Sequence, residues 1–284
     1  MTIAITGANG QLGRATLSFL LEKTDSSNVV AVVRDRANLA DLSGVGLTIR
    51  EATYDDPQTL MNAFEDVDVL LQISTSAVGE AATRQEYHVV NAAKQQGIKH
   101  VVYTSTLNPH PNAHFMATET CLQTEKAIRE SGMYYTFFRN SMYMETIPLF
   151  IGDGLHNGQI YYPAGNGRVS FVSRVDIAEA ISHLLLQPEI ENATYDITGD
   201  KSFSFGDLAA LLRQERQLDA VYENIDDEHF QAELVKIGMP LQEVDFYLSM
   251  AKSIRSGEFE LVDGGLEKLL GRKRKTLQHY IRSL

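Results

Sequence analysis

Residues 2–13 place a short apolar strand, Thr2-Ile3-Ala4-Ile5-Thr6, directly before a glycine-spaced turn and a helix start, Gly7-Ala8-Asn9-Gly10-Gln11-Leu12-Gly13. This order constrains the fold more than any other feature of the chain. Gly7 permits the tight turn, Gly10 lets the backbone approach a phosphate, and Gly13 lets the helix pack closely on the strand. The free N–H groups and positive end of the helix then face an anion. The spacing is Gly-x-x-Gly-x-x-Gly rather than Gly-x-Gly-x-x-Gly, so the strand–turn–helix context carries the reading, not three glycines alone.

Strand and helix patterns alternate through the first half. Strands are expected at Ile3–Thr6, Val29–Val33, Leu47–Arg50, Val67–Ile73, His100–Thr104 and Tyr134–Phe138, with helices at Gln11–Glu22, Ala37–Leu42, Pro57–Phe64, Arg84–Gln96 and Thr118–Ser131. Near-continuous apolar runs such as Val67-Asp68-Val69-Leu70-Leu71-Gln72-Ile73 suit strands covered on both faces of a parallel sheet. Repeated βα units imply right-handed crossovers and a doubly wound α/β sheet of the Rossmann type.

From about Asn140 the rhythm changes. Gly152, Gly154, Gly158, Gly165, Gly167 and Pro163 mark loops around short strands. A strand near Phe171, a helix over Asp176–Leu186, a strand over Thr194–Thr198 and an amphipathic helix over Phe205–Arg216 follow, with more helix around Phe230 to Leu248. The expected organisation is a dinucleotide-binding domain over residues 1–140 and a smaller C-terminal α/β cap over 141–284, mainly substrate-binding and interleaved with the first.

The 284 residues carry a net charge of −12, which argues against nucleic-acid and anionic-membrane partners. Cys121 is the only cysteine, so no intramolecular disulfide or cysteine zinc site is available; it reads as a small helix residue rather than a reactive thiol. No run approaches the ~20 apolar residues of a membrane span. The first strand begins at residue 2, which leaves no room for a signal peptide, and the expected location is cytoplasmic. No metal is assigned; His110 and His114 lie in a Pro/Asn-rich loop that reads as solvated. The run Arg272-Lys273-Arg274-Lys275 reads as a solvated face.

Ligands of open α/β sheets bind beyond the carboxyl ends of the strands. Arg34 follows the second strand, where arginine suits the 2′-phosphate of NADP and a carboxylate suits NAD. Asp35 beside it leaves NAD or dual use open. Ser74, Thr75 and Ser76 follow the fourth strand, Ser105 and Thr106 the fifth, and Asn140 and Ser141 the sixth. Together they form a candidate path for a dinucleotide.

At these residues the chain resembles a known family. Thr6–Gly13, Val32-Val33-Arg34, Tyr103-Thr104-Ser105, Thr124-Glu125-Lys126, Arg139–Tyr143 and Tyr162–Gly167 are similar to the NmrA-like, atypical short-chain dehydrogenase/reductases. The likeness extends in particular to short-chain-type NADPH-dependent quinone oxidoreductases and triphenylmethane reductase. It implies that Gly7, Ala8, Asn9, Gly10, Gln11 and Leu12 hold the pyrophosphate and Arg34 the 2′-phosphate. Ser74–Ser76 and Asn140, Ser141, Met142 and onward to Glu145 would line the dinucleotide and the mouth of the substrate pocket. Lys126 matches the lysine that binds the nicotinamide ribose in typical members; read alone, it is an exposed helix lysine paired with Glu130.

Typical members carry a tyrosine four residues before that lysine as proton donor, and here the position is Leu122. A ketone reductase needs that acid, whereas a quinone or a cationic triarylmethane accepts hydride without it. The resemblance therefore implies an NADPH-dependent reductase acting by direct hydride transfer on a small aromatic or quinone acceptor, with proximity and an apolar pocket supplied by the protein. Tyr143 is a candidate hydrogen-bond donor to a quinone oxygen or, equally, a packed core tyrosine. The alternative is a non-catalytic NAD(P)-binding redox sensor of the same family. Homodimerisation is left open.

Overall fold

The computed structural model describes residues 1–187 and 191–284. In chain order the first half gives β1 (Ile3–Ile5), α1 (Gln11–Leu21), β2 (Val29–Val33), β3 (Thr48–Glu51), α2 (Pro57–Ala63), β4 (Val69–Gln72), α3 (Gly79–Gln95), β5 (His100–Thr106), α4 (Ala117–Ser131) and β6 (Tyr134–Asn140). The second half gives α5 (Ile147–Ile151), α6 (Gly154–Asn157), β7 (Gln159–Tyr161), β8 (Arg168–Val169), α7 (Arg174–Leu185), β9 (Ala193–Ile197), β10 (Phe203–Ser204) and α8 (Phe205–Arg216). β11 (Val221–Glu223), α9 (Asp227–Lys236), α10 (Leu241–Arg255), α11 (Gly265–Leu270) and α12 (Leu277–Ser283) complete it.

The central sheet runs β3-β2-β1-β4-β5-β6-β9, and every neighbouring pair is parallel. This is the doubly wound Rossmann order, with the expected parallel sheet. β2, β4 and β5 are buried along their whole length because helices cover both faces. One core joins α1 to α7 through Leu17, Leu20, Ile177 and Ile181; another packs α2, α3 and α4 on the opposite face through Leu60, Val89, Ile128 and Phe137.

Residues 141–284 divide their contributions. β9, α7 and α11 return to the central sheet, while the remainder builds a second core with two small sheets, β8–β10 antiparallel and β7–β11 parallel. That core centres on aromatic rings: Tyr162 stacks on Phe205 at 4.6 Å between centroids, and Phe150 meets Tyr162 edge-on at 5.3 Å.

Three local expectations are corrected. Residues 36–45 form a kinked 3-10 stretch rather than an α-helix over 37–42, because Asp35 caps Ala37 at 2.9 Å and Leu39 leaves helical geometry (φ −121°). α3 starts at Gly79 instead of Arg84; its first turns are small residues that give no apolar period. The basic run is a solvated face only in part. Arg274 is 8% exposed and donates to the Thr198 and Gly199 carbonyls at 2.7 and 3.0 Å, and Arg272 pairs with the buried Asp176 at 2.8 Å and with Glu179. Lys273 and Lys275 remain exposed. Among the described residues no helix is long and apolar enough to cross a membrane.

At the end of β4 the sheet carries a buried polar network. Glu86, on α3, is 1% exposed; its carboxylate accepts the Thr75 N–H at 2.6 Å and the side-chain amide of Gln72. Tyr54, Tyr103 and Cys121 are the titratable neighbours that feel its charge, and none is cationic. Burial pushes the Glu86 carboxyl up to about 7 from its ordinary 4.5, despite the two hydrogen bonds. The folded protein thus holds this proton more tightly than the unfolded chain. Stability is full below about 4.5 and is lost as pH rises towards 7.

Two outcomes follow from this architecture. A Cβ on Gly13 would lie 2.4 Å from the Gly7 carbonyl oxygen and 2.8 Å from Ala8 Cα, so Gly13→Ala must push α1 off the turn. That substitution is expected to cost roughly 2–3 kcal/mol in thermal unfolding; an unchanged melting temperature would refute the close approach. Gln at position 86 keeps an acceptor for Thr75 and adds a donor for Gln72 Oε1, which is buried without a partner among the described residues. Glu86→Gln should therefore raise the melting temperature at pH 8 by roughly 5 °C, equivalent to about 2 kcal/mol, and have little effect near pH 4.5. A shift independent of pH would show that Glu86 is not the titrating group.

Candidate functional site

The β1–α1 turn sits where the strand order reverses, between β1 and β4. Gly7 takes φ +59°, a left-handed conformation open to glycine, and its α-carbon faces the side chain of Ile73 just past β4. The Gly10 N–H closes the turn onto the Gly7 carbonyl at 2.8 Å. Gly10 is the N-cap of α1; no side chain caps the helix and no acidic residue lies in its first turn. The positive end of α1 is therefore open to an anion. Gly7, Asn9, Gly10 and Gln11 are exposed there, while Ala8 and Leu12 turn inward to the core.

Beyond β2, three charged residues divide the work. Asp35 is engaged as the cap of the 3-10 stretch, and Arg36 donates to the Ile49 carbonyl while its N–H meets Glu51 at 2.9 Å. Arg34 is exposed and has no hydrogen bond or ion pair among the described residues. A free guanidinium beside an occupied carboxylate is the donor set for a phosphate rather than for a ribose hydroxyl.

The register brings the remaining strand ends together. Gln72 lies beside Tyr103, and Thr106 beside Asn140. The Ser74 N–H donates to Thr104 Oγ1 at 2.9 Å, and the Thr104 hydroxyl donates to Ser74 Oγ at 3.2 Å. Thr75 is engaged with Glu86, Gln85 and Ala77, so its side chain shapes the segment, and Ser76 is exposed. Ser141 and Met142 point elsewhere: the Ser141 N–H bonds Ile197, its hydroxyl meets Ser170, and Met142 packs into the second core.

Asn140 ends β6, 6% exposed, with Oδ1 unpartnered among the described residues. Its amide nitrogen lies 3.5 Å from the Tyr143 hydroxyl. Such an orphaned buried acceptor fits an N–H or O–H donor of a bound ligand. Tyr143 is half-buried; burial raises its phenol above the ordinary value, and the Arg174 guanidinium, 4.7 Å over the ring, pulls the other way. Lys126, by contrast, has a side chain 74% exposed and lies 3.8 Å from Glu130. The structure brings Gly7–Gln11, Arg34, Ser74, Asn140 and Tyr143 to the sheet edge and gives Lys126 a surface pair instead.

Two groups were not legible in the sequence, while Cys121 behaves as the sequence led us to expect. Glu125 is fully buried. Burial opposes its ionisation, yet Arg139 at 2.8 and 3.0 Å and Ser105 at 2.8 Å hold its carboxyl below the usual range. This fixes Ser105 and Arg139 on adjacent strand ends. Arg174 and Glu145 flank Tyr143, and only the fold brings them there. Cys121 is buried against Tyr103, and burial pushes its thiol up to about 11, which removes it as a nucleophile.

Comparison with known proteins agrees with this geometry. The chain is 33% identical over 282 residues to quinone oxidoreductase 2 of Escherichia coli (strain K12), covering 99% of this chain and 98% of that protein. A crystal structure of an NADPH-dependent quinone oxidoreductase from Escherichia coli, complexed with NADPH, superposes with a TM-score of 0.93 at 32% identity over 99% of both chains. Triphenylmethane reductase from Citrobacter sp., complexed with NADP(H), does so with a TM-score of 0.92 at 30% identity over 99% of both chains. With residues 1–281 matching the model of the NmrA-like family, the chain belongs to that family.

Proposed function

We propose that the protein is an NADPH-dependent reductase that delivers hydride to quinones or similar conjugated acceptors without a tyrosine general acid. The observation that carries this reading is the full-length likeness to quinone oxidoreductase 2, on a chain whose own turn and Arg34 fit NADPH. The dinucleotide, when bound, supplies the hydride.

The chain's residues supply the rest. The Gly7–Gln11 backbone and the open N-terminus of α1 hold the pyrophosphate; Arg34 holds the 2′-phosphate. Asn140 offers its free Oδ1 to a ligand donor. Leu122, half-buried on α4, cannot give a proton, so reduction is confined to acceptors whose product anion is stable without one. Tyr143 offers a hydroxyl to the acceptor oxygen. Lys126 is a surface residue in this reading, consistent with its pairing to Glu130.

NADPH absorbance followed with purified protein against benzoquinones, naphthoquinones and triarylmethane dyes is expected to show acceptor-dependent consumption. Tight dinucleotide binding without consumption by any acceptor would favour the sensor instead. Tyr143→Phe is expected to lower kcat for quinones by roughly 10-fold, and unchanged turnover would remove the hydroxyl from the mechanism. Arg34→Ala should raise KM for NADPH by ~10–100-fold and leave that for NADH unchanged; a retained preference for NADPH would place the 2′-phosphate elsewhere.

A further inference from the structure

Arg174 is the first residue of α7, and the fold turns its side chain to the mouth of the site. Nη1 donates to the side-chain carbonyl of Gln11, at the start of α1. Cζ lies 4.7 Å over the ring of Tyr143. The nearby carboxylate, Glu145, takes the Arg174 backbone N–H on both oxygens at 3.1 Å and caps α7 with it. No carboxylate lies within ion-pair distance of the Arg174 guanidinium among the described residues. The other arginines held against buried carboxylates differ: Arg139 pairs with Glu125 and Arg272 with Asp176. An unneutralised cation therefore stands between the phosphate-binding turn and the tyrosine proposed to meet the acceptor.

We propose that Arg174 is a specificity-determining residue that selects acceptors whose charge becomes negative on reduction over acceptors that arrive as cations. The inference rests on the reductase reading and deepens it. In quinone reduction a hydride forms a new bond to the quinone and its electron pair ends on the second oxygen as a hydroquinone mono-anion. NADPH is oxidised to NADP+, and a solvent proton completes the hydroquinone. A fixed guanidinium near that oxygen stabilises the developing charge. A triarylmethane cation instead loses its charge as it accepts hydride, so the same guanidinium repels the reactant and gains nothing from the product.

Two features fit this role rather than dinucleotide binding alone. The guanidinium is stacked on Tyr143, which fixes its direction at the acceptor end, and of the two charges flanking that phenol it exerts the larger influence, ahead of Glu145. It is also half-buried, where water screens it less than an exposed charge.

The test compares Arg174→Gln and Arg174→Lys with the wild type, using a neutral benzoquinone, a cationic triarylmethane dye and NADPH binding by fluorescence. Arg174→Gln is expected to lower kcat/KM for the quinone by roughly 30-fold, mainly in kcat. For the dye, kcat/KM should rise about 3-fold, or, where the dye is not reduced, its Ki against quinone should fall about 3-fold. Arg174→Lys should keep the quinone-to-dye ratio within about 3-fold, because it keeps the charge. An equal loss for both acceptors together with weakened NADPH binding would assign Arg174 to the dinucleotide and overturn the proposal; so would an unchanged ratio in Arg174→Gln. A wild type inert towards every acceptor would sink the reductase reading and this inference with it, whereas a wild type that reduces the dye but not the quinone would overturn this inference alone.

Discussion

The contact on which the rest depends is the approach of α1 to the turn before it. A Cβ on Gly13 would lie 2.4 Å from the Gly7 carbonyl oxygen, so glycine there is what lets the helix start this close to the turn. That single contact sets more than the anion site. α1 packs on α7 through Leu17, Leu20, Ile177 and Ile181, so the position of α7 follows from that of α1. Arg174, at the first turn of α7, then reaches Gln11 and the ring of Tyr143. The turn, the second helix layer and the acceptor end of the site are one mechanical unit.

Buried charge is handled in two ways around this unit. Glu125 and Asp176 are each held by arginine, and those pairs tie α4 to β6 and α7 to the C-terminal segment. The Glu125 carboxyl is held below its ordinary range because charge-assisted hydrogen bonds from Arg139 offset the desolvation cost. Glu86 has only neutral partners, so it stays near its titration point while shaping the Thr75 backbone. The paired sites are rigid braces. The unpaired one accepts the Thr75 N–H, so the segment after β4 feels its titration directly.

The sheet was legible because its strands are written as apolar runs between glycine-marked turns, and the register then carried the strand-end residues to one edge. Residues whose role is set by a neighbour in sequence, such as Gly7, Gly10 and Gly13, could be read directly. Residues whose role is set by a distant partner could not. Asp35 left NAD or dual use open beside Arg34, and only its hydrogen bond to Ala37 shows that it is occupied. Ser141 shares the polar character of Asn140, yet its partners are Ile197 and Ser170, from β9 and the stretch after β8. The two arginines of the C-terminal basic run were misread for the same reason: a buried carboxylate at Asp176 and the carbonyls of Thr198 and Gly199 gave them a destination that no local pattern records.

Leu122 ties the fold to the chemistry. An acid catalyst would remove charge from the reacting oxygen by giving it a proton; without one, the site must tolerate the charge. Tolerance requires acceptors that delocalise it and a fixed positive environment near it, and preorganised charge is effective because it needs no reorganisation as the reaction proceeds. In an otherwise acidic protein, at −12, such an environment has to be built locally. In the proposed reading the α1 N-terminus and Arg34 provide it at the dinucleotide end, and Arg174 provides it beside Tyr143. The glycine contact at the α1 N-terminus would then also position the cation proposed to stand in for the missing acid.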